Sequence, residues 1–235
     1  MERGKVAVLR YNPEIDTQPH KETYEYPFEA GMSVLDVALY INENIDGGFS
    51  FQYGCRNSHC GLCGAKINGK PGLMCRESAT PDMTLEPLDN FPVIRDLMVD
   101  RKHYDECMLG LRLFLDRVDA PDAAPERIER DDLERFKVVS RCVACHNCTS
   151  VCPAYRDNRH EFLGPTGIVQ MARHAFDPRD ELDRETIAYS SGMYECTLCG
   201  KCIDVCPHGI SPKECIELLR LRLENRGESN NSRGS

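Results

Sequence analysis

The sequence predicts an α+β chain in two parts: a small sheet with one helix across it up to residue 106, and an all-α part over 107–226. Three observations carry that prediction. Short stretches rich in β-branched and aromatic residues fill the first part. A Pro/Ala-rich break, "DAPDAAPE" (119–126), reads as a linker. Beyond it the pattern is helical, interrupted by two copies of one cysteine-bearing run.

In chain order, "KVAVLRY" (5–11) and "KETYEY" (21–26) are predicted strands of one hairpin. "GMSVLDVALYINENI" is a predicted helix, with Ser33 as N-cap and Asp36 completing a capping box. Val34, Leu35, Ala38 and Ile41 give it one apolar face. A cysteine-bearing loop runs from Gly54 to Gly64, and "AKINGKPG" offers a hairpin turn at Asn68-Gly69. "MTLEPL" is the last expected strand, and "FPVIRDLMVDR" leads the chain out. "ECMLGLRLFLDRV" (106–118) is a predicted helix. "RIERDDLERF" opens the helical pattern, and "SPKECIELLRLRLEN" closes it. There Ser211 is the N-cap, Pro212 the first helical residue and Glu214 the partner in a second capping box. The polar tail "GESNNSRGS" (227–235) is expected to be disordered.

A net charge of −9, with neither half basic, argues against a sequence-independent nucleic-acid binder. No apolar run approaches the roughly 18 residues needed to cross a bilayer. The N-terminus has no apolar core followed by a small-residue cleavage site, so the chain is expected on the cytoplasmic side, where thiols stay reduced.

Twelve of the 14 cysteines fall in three tight groups, the distribution of ligand sets rather than of disulfide staples. Cys107 and Cys215 stand apart and are expected to be small buried apolar residues. The first set is Cys55, Cys60, Cys63 and Cys75, the C-x4-C-x2-C spacing with a distant fourth thiol that suits a [2Fe–2S] cluster. Gly54, Gly61 and Gly64 permit close backbone approach, and Arg56 and Arg76 are candidates for offsetting its charge. Structural zinc is the competing use of such a set. The other two runs are Cys142, Cys145, Cys148, Cys152 with Pro153, and Cys196, Cys199, Cys202, Cys206 with Pro207. Each is C-x2-C-x2-C-x3-C-P, the two-cluster arrangement in which the fourth cysteine of each run ligates the other cluster. One cluster is then assigned Cys142, Cys145, Cys148 and Cys206, and the other Cys152, Cys196, Cys199 and Cys202. A full thiolate count leaves His59, His146 and His208 to hydrogen-bonding or solvent-exposed roles. No phosphate loop, nucleophile elbow or dinucleotide fingerprint is present, so substrate chemistry is expected on a different subunit.

"GMSVLDVALYINENID", "CRNSHCGLCGAKING", "TLEPLDNFPVIRDLMVD" and the two four-cysteine runs together resemble the iron–sulfur subunit of succinate dehydrogenase and fumarate reductase, from about Lys5 to about Asn225. The resemblance implies a β-grasp plant-type ferredoxin domain followed by an α-helical two-cluster ferredoxin domain. It also implies an FAD-containing flavoprotein partner that interconverts succinate and fumarate, and a membrane partner that handles quinone. In most members of that family three thiols, matching Cys152, Cys196 and Cys202, hold a [3Fe–4S] cluster, and the position of Cys199 is not a cysteine. Cys199 therefore restores a fourth ligand, and the expectation here is [4Fe–4S] over [3Fe–4S]. Many members also line the quinone pocket with a Trp after the first Cys-Pro and a His after the first cysteine of the second run. This chain has no Trp and has Thr197 at the second place. The pattern is similar to members whose membrane partner is a cysteine-rich, heterodisulfide-reductase-like subunit, with a menaquinone-type quinone. Two other readings stand beside it: the iron–sulfur arm of a soluble thiol-dependent fumarate reductase, and a free-standing polyferredoxin.

Overall fold

The computed structural model describes residues 2–118 and 126–231, which form two compact units. The first unit runs to Arg101 and also takes in Val143–Val151 and Val205–Pro207; the second holds Lys102–Cys142, Cys152–Asp204 and the chain from His208 onward. The expected boundary at residue 106 thus lies a few residues beyond the first unit's last sheet element. Two short pieces of the four-cysteine runs belong to that first unit as well.

The first unit is built on a five-stranded mixed sheet in the order β2-β1-β5-β3-β4. β1 (Glu2–Arg10) and β2 (His20–Phe28) pair antiparallel as the sequence predicts, with Val6 opposite Tyr24. β5 (Asp82–Glu86) runs parallel to β1, placing Val6 beside Met83 and Val8 beside Leu85. β3 (Gly64–Ile67) and β4 (Lys70–Leu73) form the hairpin expected at Asn68-Gly69, whose φ values of 49° and 78° are those of a two-residue primed turn. α1 (Val34–Asn44) begins with the anticipated capping box: Asp36 N–H donates to Ser33 Oγ at 3.2 Å, and Ser33 N–H donates back to Asp36 at 2.9 Å. Its buried face of Val34, Leu35, Val37, Ala38 and Ile41 joins Val6, Val8, Tyr26, Leu73 and Leu85 in one core, to which Cys63 and Cys145 also belong. The sequence pattern does not reveal a small hairpin within "FPVIRDLMVDR", β6 (Val93–Arg95) with β7 (Met98–Val99). Its turn carries Asp96, 2 % exposed, which accepts from Arg10 Nε at 2.9 Å, Tyr11 N–H at 3.1 Å and Ser50 N–H at 2.9 Å. That carboxylate ties β1 to the segment entering the cysteine loop.

In the second unit α6 (Gly164–Ala175) is the central helix, packed on α3 (Arg130–Val139), α7 (Arg184–Ser190) and α8 (Pro212–Asn231). Ile168, Val169, Met171 and Ala172 of α6 are buried, as are Ile216 and Leu219 of α8. α8 starts at Pro212 as expected, and Glu214 N–H donates to Ser211 Oγ at 3.2 Å, one half of the predicted capping box; the helix continues through Asn231 into the segment expected to be disordered. Residues 232–235 and most of the expected linker (119–125) lie outside the described residues.

The predicted helix over 106–118 is corrected. α2 covers Lys102–Leu109, and Arg112 then takes φ +49°. Arg184, 1 % exposed, explains why: Nη1 donates to the carbonyls of Leu111 and Arg112 and Nη2 to that of Phe114, each at 2.9 Å. The same guanidinium grips Asp180 through Nε at 2.9 Å and Nη2 at 2.8 Å. Carbonyls used this way are unavailable to a helical ladder, so an apolar-looking stretch is held irregular by a cation distant in sequence.

Removing the Arg184 fork leaves Asp180 buried without its cation. Arg184→Ala should destabilise the helical unit by about 3–5 kcal/mol, measured by anaerobic denaturant unfolding followed by circular dichroism. Arg184→Lys should recover only part of that loss, because one ammonium cannot reproduce the planar fork.

Candidate iron–sulfur sites

The first cysteine set converges in the loop between α1 and β3 and at the end of β4. Cys60 N–H points at Cys55 Sγ at 3.3 Å, and Cys55 N–H points at Cys60 Sγ at 3.4 Å. Asn57 and His59 N–H also donate to Cys55 Sγ, at 3.3 and 3.2 Å, and Ser58 N–H donates to Cys75 Sγ at 3.3 Å. The loop reaches this geometry by placing Arg56, Ser58 and Gly61 at positive φ (55°, 57° and 70°), which turns successive amides inward. Those amides hold the exposed Cys55 thiol down at about 7, through Asn57 and His59 first. Burial pushes Cys63 up to about 12, with Cys75 and Cys60 beside it. A buried sulfur of that kind becomes thiolate only with metal charge against it, which fits an iron-bound ligand better than a redox-active free thiol.

Both candidate neutralising cations have partners within the first unit. Arg56 lies 5.3 Å over the Tyr53 ring, and Arg76 donates to the Pro207 carbonyl. Of the histidines, His59 is exposed and offers its backbone N–H, whereas His146 is 2 % exposed and its imidazole is pushed down to about 3, by burial first and then by Arg101.

The two four-cysteine runs share one backbone form. Positive φ falls at Ala144 (49°) and His146 (66°) in the first and at Leu198 (56°) and Gly200 (81°) in the second, at identical offsets from Cys142 and Cys196. In the second, the turned amide of Leu198 points at Cys196 Sγ at 3.4 Å. Cys145, Cys148 and Cys206 lie within the first compact unit, so the last cysteine of the second run shares a unit with two thiols of the first. Conversely, Cys152 lies in the second unit, where it faces Cys196 and Cys199, and Cys202 faces Cys196 and Cys152. Burial raises the Cys152 and Cys196 thiols and pushes Cys202 up to about 12, while Cys199 is exposed. Cys152 also caps α5 (Pro153–Asn158), accepting from Tyr155 N–H at 3.5 Å. Sequence reasoning missed Arg220 of α8, which clamps the start of the second run through Met193 O at 2.6 Å and Cys196 O at 2.9 Å. No local signal marks it, because its partners lie at least 24 residues away. Outside the sets, Cys215 is buried as expected and Cys107 is only half-buried.

Among the described residues no three Cys, His, Asp or Glu side chains close on one point as they would round a single ion. Cluster ligands have no such need, since the thiolates are shared out over several irons.

Residues 5–106 match the family described as a 2Fe-2S iron-sulfur cluster binding domain, and residues 138–210 a 4Fe-4S dicluster domain. The fumarate reductase iron-sulfur subunit of Haemophilus influenzae is 35 % identical over 90 % of this chain and 89 % of its own length. Its namesake from Mycobacterium tuberculosis is 36 % identical over 94 % and 93 %. One subunit of the fumarate reductase (CoM/CoB) of Methanothermobacter marburgensis is 37 % identical over 94 % of the chain, which spans only 45 % of that longer relative. Among solved structures, a chain of the Mycobacterium smegmatis Sdh1 complex in the apo form superposes with a TM-score of 0.83, at 28 % identity over 95 % of this chain and 96 % of that one.

A Cβ on Gly61 would stand 2.3 Å from the Val143 carbonyl, whereas one on Gly69 would meet nothing within 4 Å. Both glycines have positive φ. Gly69→Ala should therefore cost only about 1–2 kcal/mol of stability and leave cluster absorbance intact. Gly61→Ala should add a backbone collision and lose bound iron, read by iron assay and visible absorbance.

Proposed function

The chain belongs to the family of fumarate reductase and succinate dehydrogenase iron–sulfur subunits, and from that premise we propose that it relays electrons between an FAD-containing flavoprotein subunit and a quinone-reactive membrane partner. The cofactors, when bound, supply one-electron carriers in series. The protein's part is to hold them in fixed order and to set their potentials. In this reading the first unit is a β-grasp plant-type ferredoxin domain with Cys55, Cys60, Cys63 and Cys75 on a [2Fe–2S] cluster. The helical part is a two-cluster ferredoxin domain. Its sites take Cys142, Cys145, Cys148 and Cys206 for [4Fe–4S], and Cys152, Cys196, Cys199 and Cys202 for a third cluster, with [4Fe–4S] favoured over [3Fe–4S].

The exchange of the two fourth cysteines carries this assignment. Cys206 falls in the same compact unit as Cys145 and Cys148, and Cys152 in that of Cys196 and Cys199, which supports the ligand-swapping reading. For the third site, Cys199 repeats the backbone setting of Cys145: each follows a positive-φ residue and precedes another. The shared setting supports the same ligand role for Cys199.

Among the described residues no helix is long and apolar enough to cross a membrane, which suits a peripheral place at the cytoplasmic face through partner subunits. The lack of Trp, with Thr197 in the second run, supports a quinone site unlike the usual family pocket, and a menaquinone-type quinone suits that reading. The similarity to a CoM/CoB fumarate reductase chain favours one alternative, the iron–sulfur arm of a thiol-dependent fumarate reductase. Assaying the purified complex with a quinol and with a dithiol donor separates the two, and recovery of the chain alone, without any flavin-bearing chain, would point to a free polyferredoxin.

Cys199 gives the sharpest test. An oxidised three-iron centre is paramagnetic and an oxidised four-iron centre is silent. Anaerobically purified complex should contain about ten irons per chain and show no three-iron resonance after oxidation. Cys199→Val should lose about one iron and gain that resonance. A strong three-iron signal from the undamaged native protein would defeat the four-iron assignment.

A further inference from the structure

Asn147 opens the short helix α4 (Asn147–Ser150) between Cys145 and Cys148, and it is 0 % exposed. Neither Oδ1 nor Nδ2 has a hydrogen-bond partner among the described residues. The neighbouring polar groups are spent on other contacts: Asn90 Nδ2 takes the carbonyls of Thr149 and Ser150 at 2.9 Å each, and Asp89 N–H takes Ser150 Oγ at 3.0 Å.

The carboxamide sits where two cysteine loops of the first unit meet. Gly64 follows Cys63, and a Cβ there would stand 3.3 Å from Asn147 Oδ1 and 3.0 Å from the Cys145 carbonyl. A Cβ on Gly61 would stand 3.0 Å from Cys145 N. α4 packs on β4, the strand that leads to Cys75. A completely buried amide with two idle ends is rare, because burial without a partner is costly. Asn147 lies between two cysteines of one run, and its carboxamide stands against the residue that follows Cys63, so cysteine sulfur is an acceptor close to it in sequence on both sides. Rotating the amide by half a turn exchanges its donor and acceptor ends within the same space.

Building on the ligand assignment above, we propose that the Asn147 carboxamide donates an N–H hydrogen bond to sulfur of the cluster held by Cys142, Cys145, Cys148 and Cys206, and so positions that cluster's potential relative to the [2Fe–2S] site. A donor at sulfur stabilises the reduced, more negative state and raises the potential. Asn147 is then a positioning residue for the electron step between two carriers. It is not a ligand, and it makes no contact with substrate.

Redox titration of the intact complex, followed by electron paramagnetic resonance, tests this. Asn147→Leu keeps the volume and removes the donor. It should lower the midpoint of the first four-iron cluster by the equivalent of a tenfold change in a one-electron equilibrium, about 59 mV, and leave the [2Fe–2S] midpoint in place. Asn147→Ser, which restores a short donor, should recover part of the shift. Unchanged midpoints in variants with full iron content, or a shift confined to the [2Fe–2S] cluster, would overturn the proposal. Should Asn147→Leu not assemble, wild-type protein carrying [15Nδ2]asparagine supplies the answer. Pulsed resonance of the reduced four-iron cluster should show a side-chain nitrogen coupling, and its absence would overturn the proposal. Wild-type protein lacking the four-iron signal and its iron would overturn the ligand assignment and this proposal together, and the iron assay tells that outcome apart.

Discussion

Backbone amides turned inward upon sulfur are the constraint from which the rest of this structure follows. A thiolate ligand set accumulates negative charge, and this acidic chain answers it with peptide N–H groups rather than lysine or arginine. The amides of Asn57, Ser58, His59, Cys60 and Leu198 all approach cysteine sulfur at 3.2–3.4 Å. Turning an amide this way needs left-handed backbone, and five non-glycine residues accept it in these loops: Arg56, Ser58, Ala144, His146 and Leu198. The strain, on the order of 1–2 kcal/mol per residue, persists because the surrounding sheet and helices over-determine the loop ends.

Those loop ends are fixed by contacts far apart in sequence. Asp96 draws the entrance of the first cysteine loop onto β1, and Arg220 holds the start of the last run to α8. Gly61 then lets the first loop approach the Val143 carbonyl at a distance no side chain would tolerate, and Gly64 makes a tight approach to the Cys145 carbonyl. Function at these sites is therefore a matter of backbone placement. Side chains other than the thiols act mainly as props.

The regular elements are legible in the sequence because their signals are local. The capping box at Ser33, the Asn68-Gly69 turn, the β1–β2 hairpin and the Ser211 cap each rest on residues within a few positions of one another. The cysteine spacing is legible for the same reason. The helix expected over 106–118 fails because its fate is decided by Arg184, some 70 residues on, and apolar periodicity carries no trace of a distant cation. Asp96, Arg220 and Asn147 are invisible for a related reason: each is an ordinary polar residue until the fold buries it. The partners of Arg56 and Arg76, the Tyr53 ring and the Pro207 carbonyl, are equally absent from the sequence pattern.

The first unit draws on three separated stretches, the last of them Val205–Pro207. Its sheet is complete in sequence by Glu86, yet Cys206 follows more than a hundred residues later. On the ribosome the nascent first unit therefore cannot gather Val205–Pro207 until more than a hundred further residues have been added. Closing this unit depends on a segment made long after its sheet, so the partly assembled sheet stays open to misfolding and aggregation over that interval.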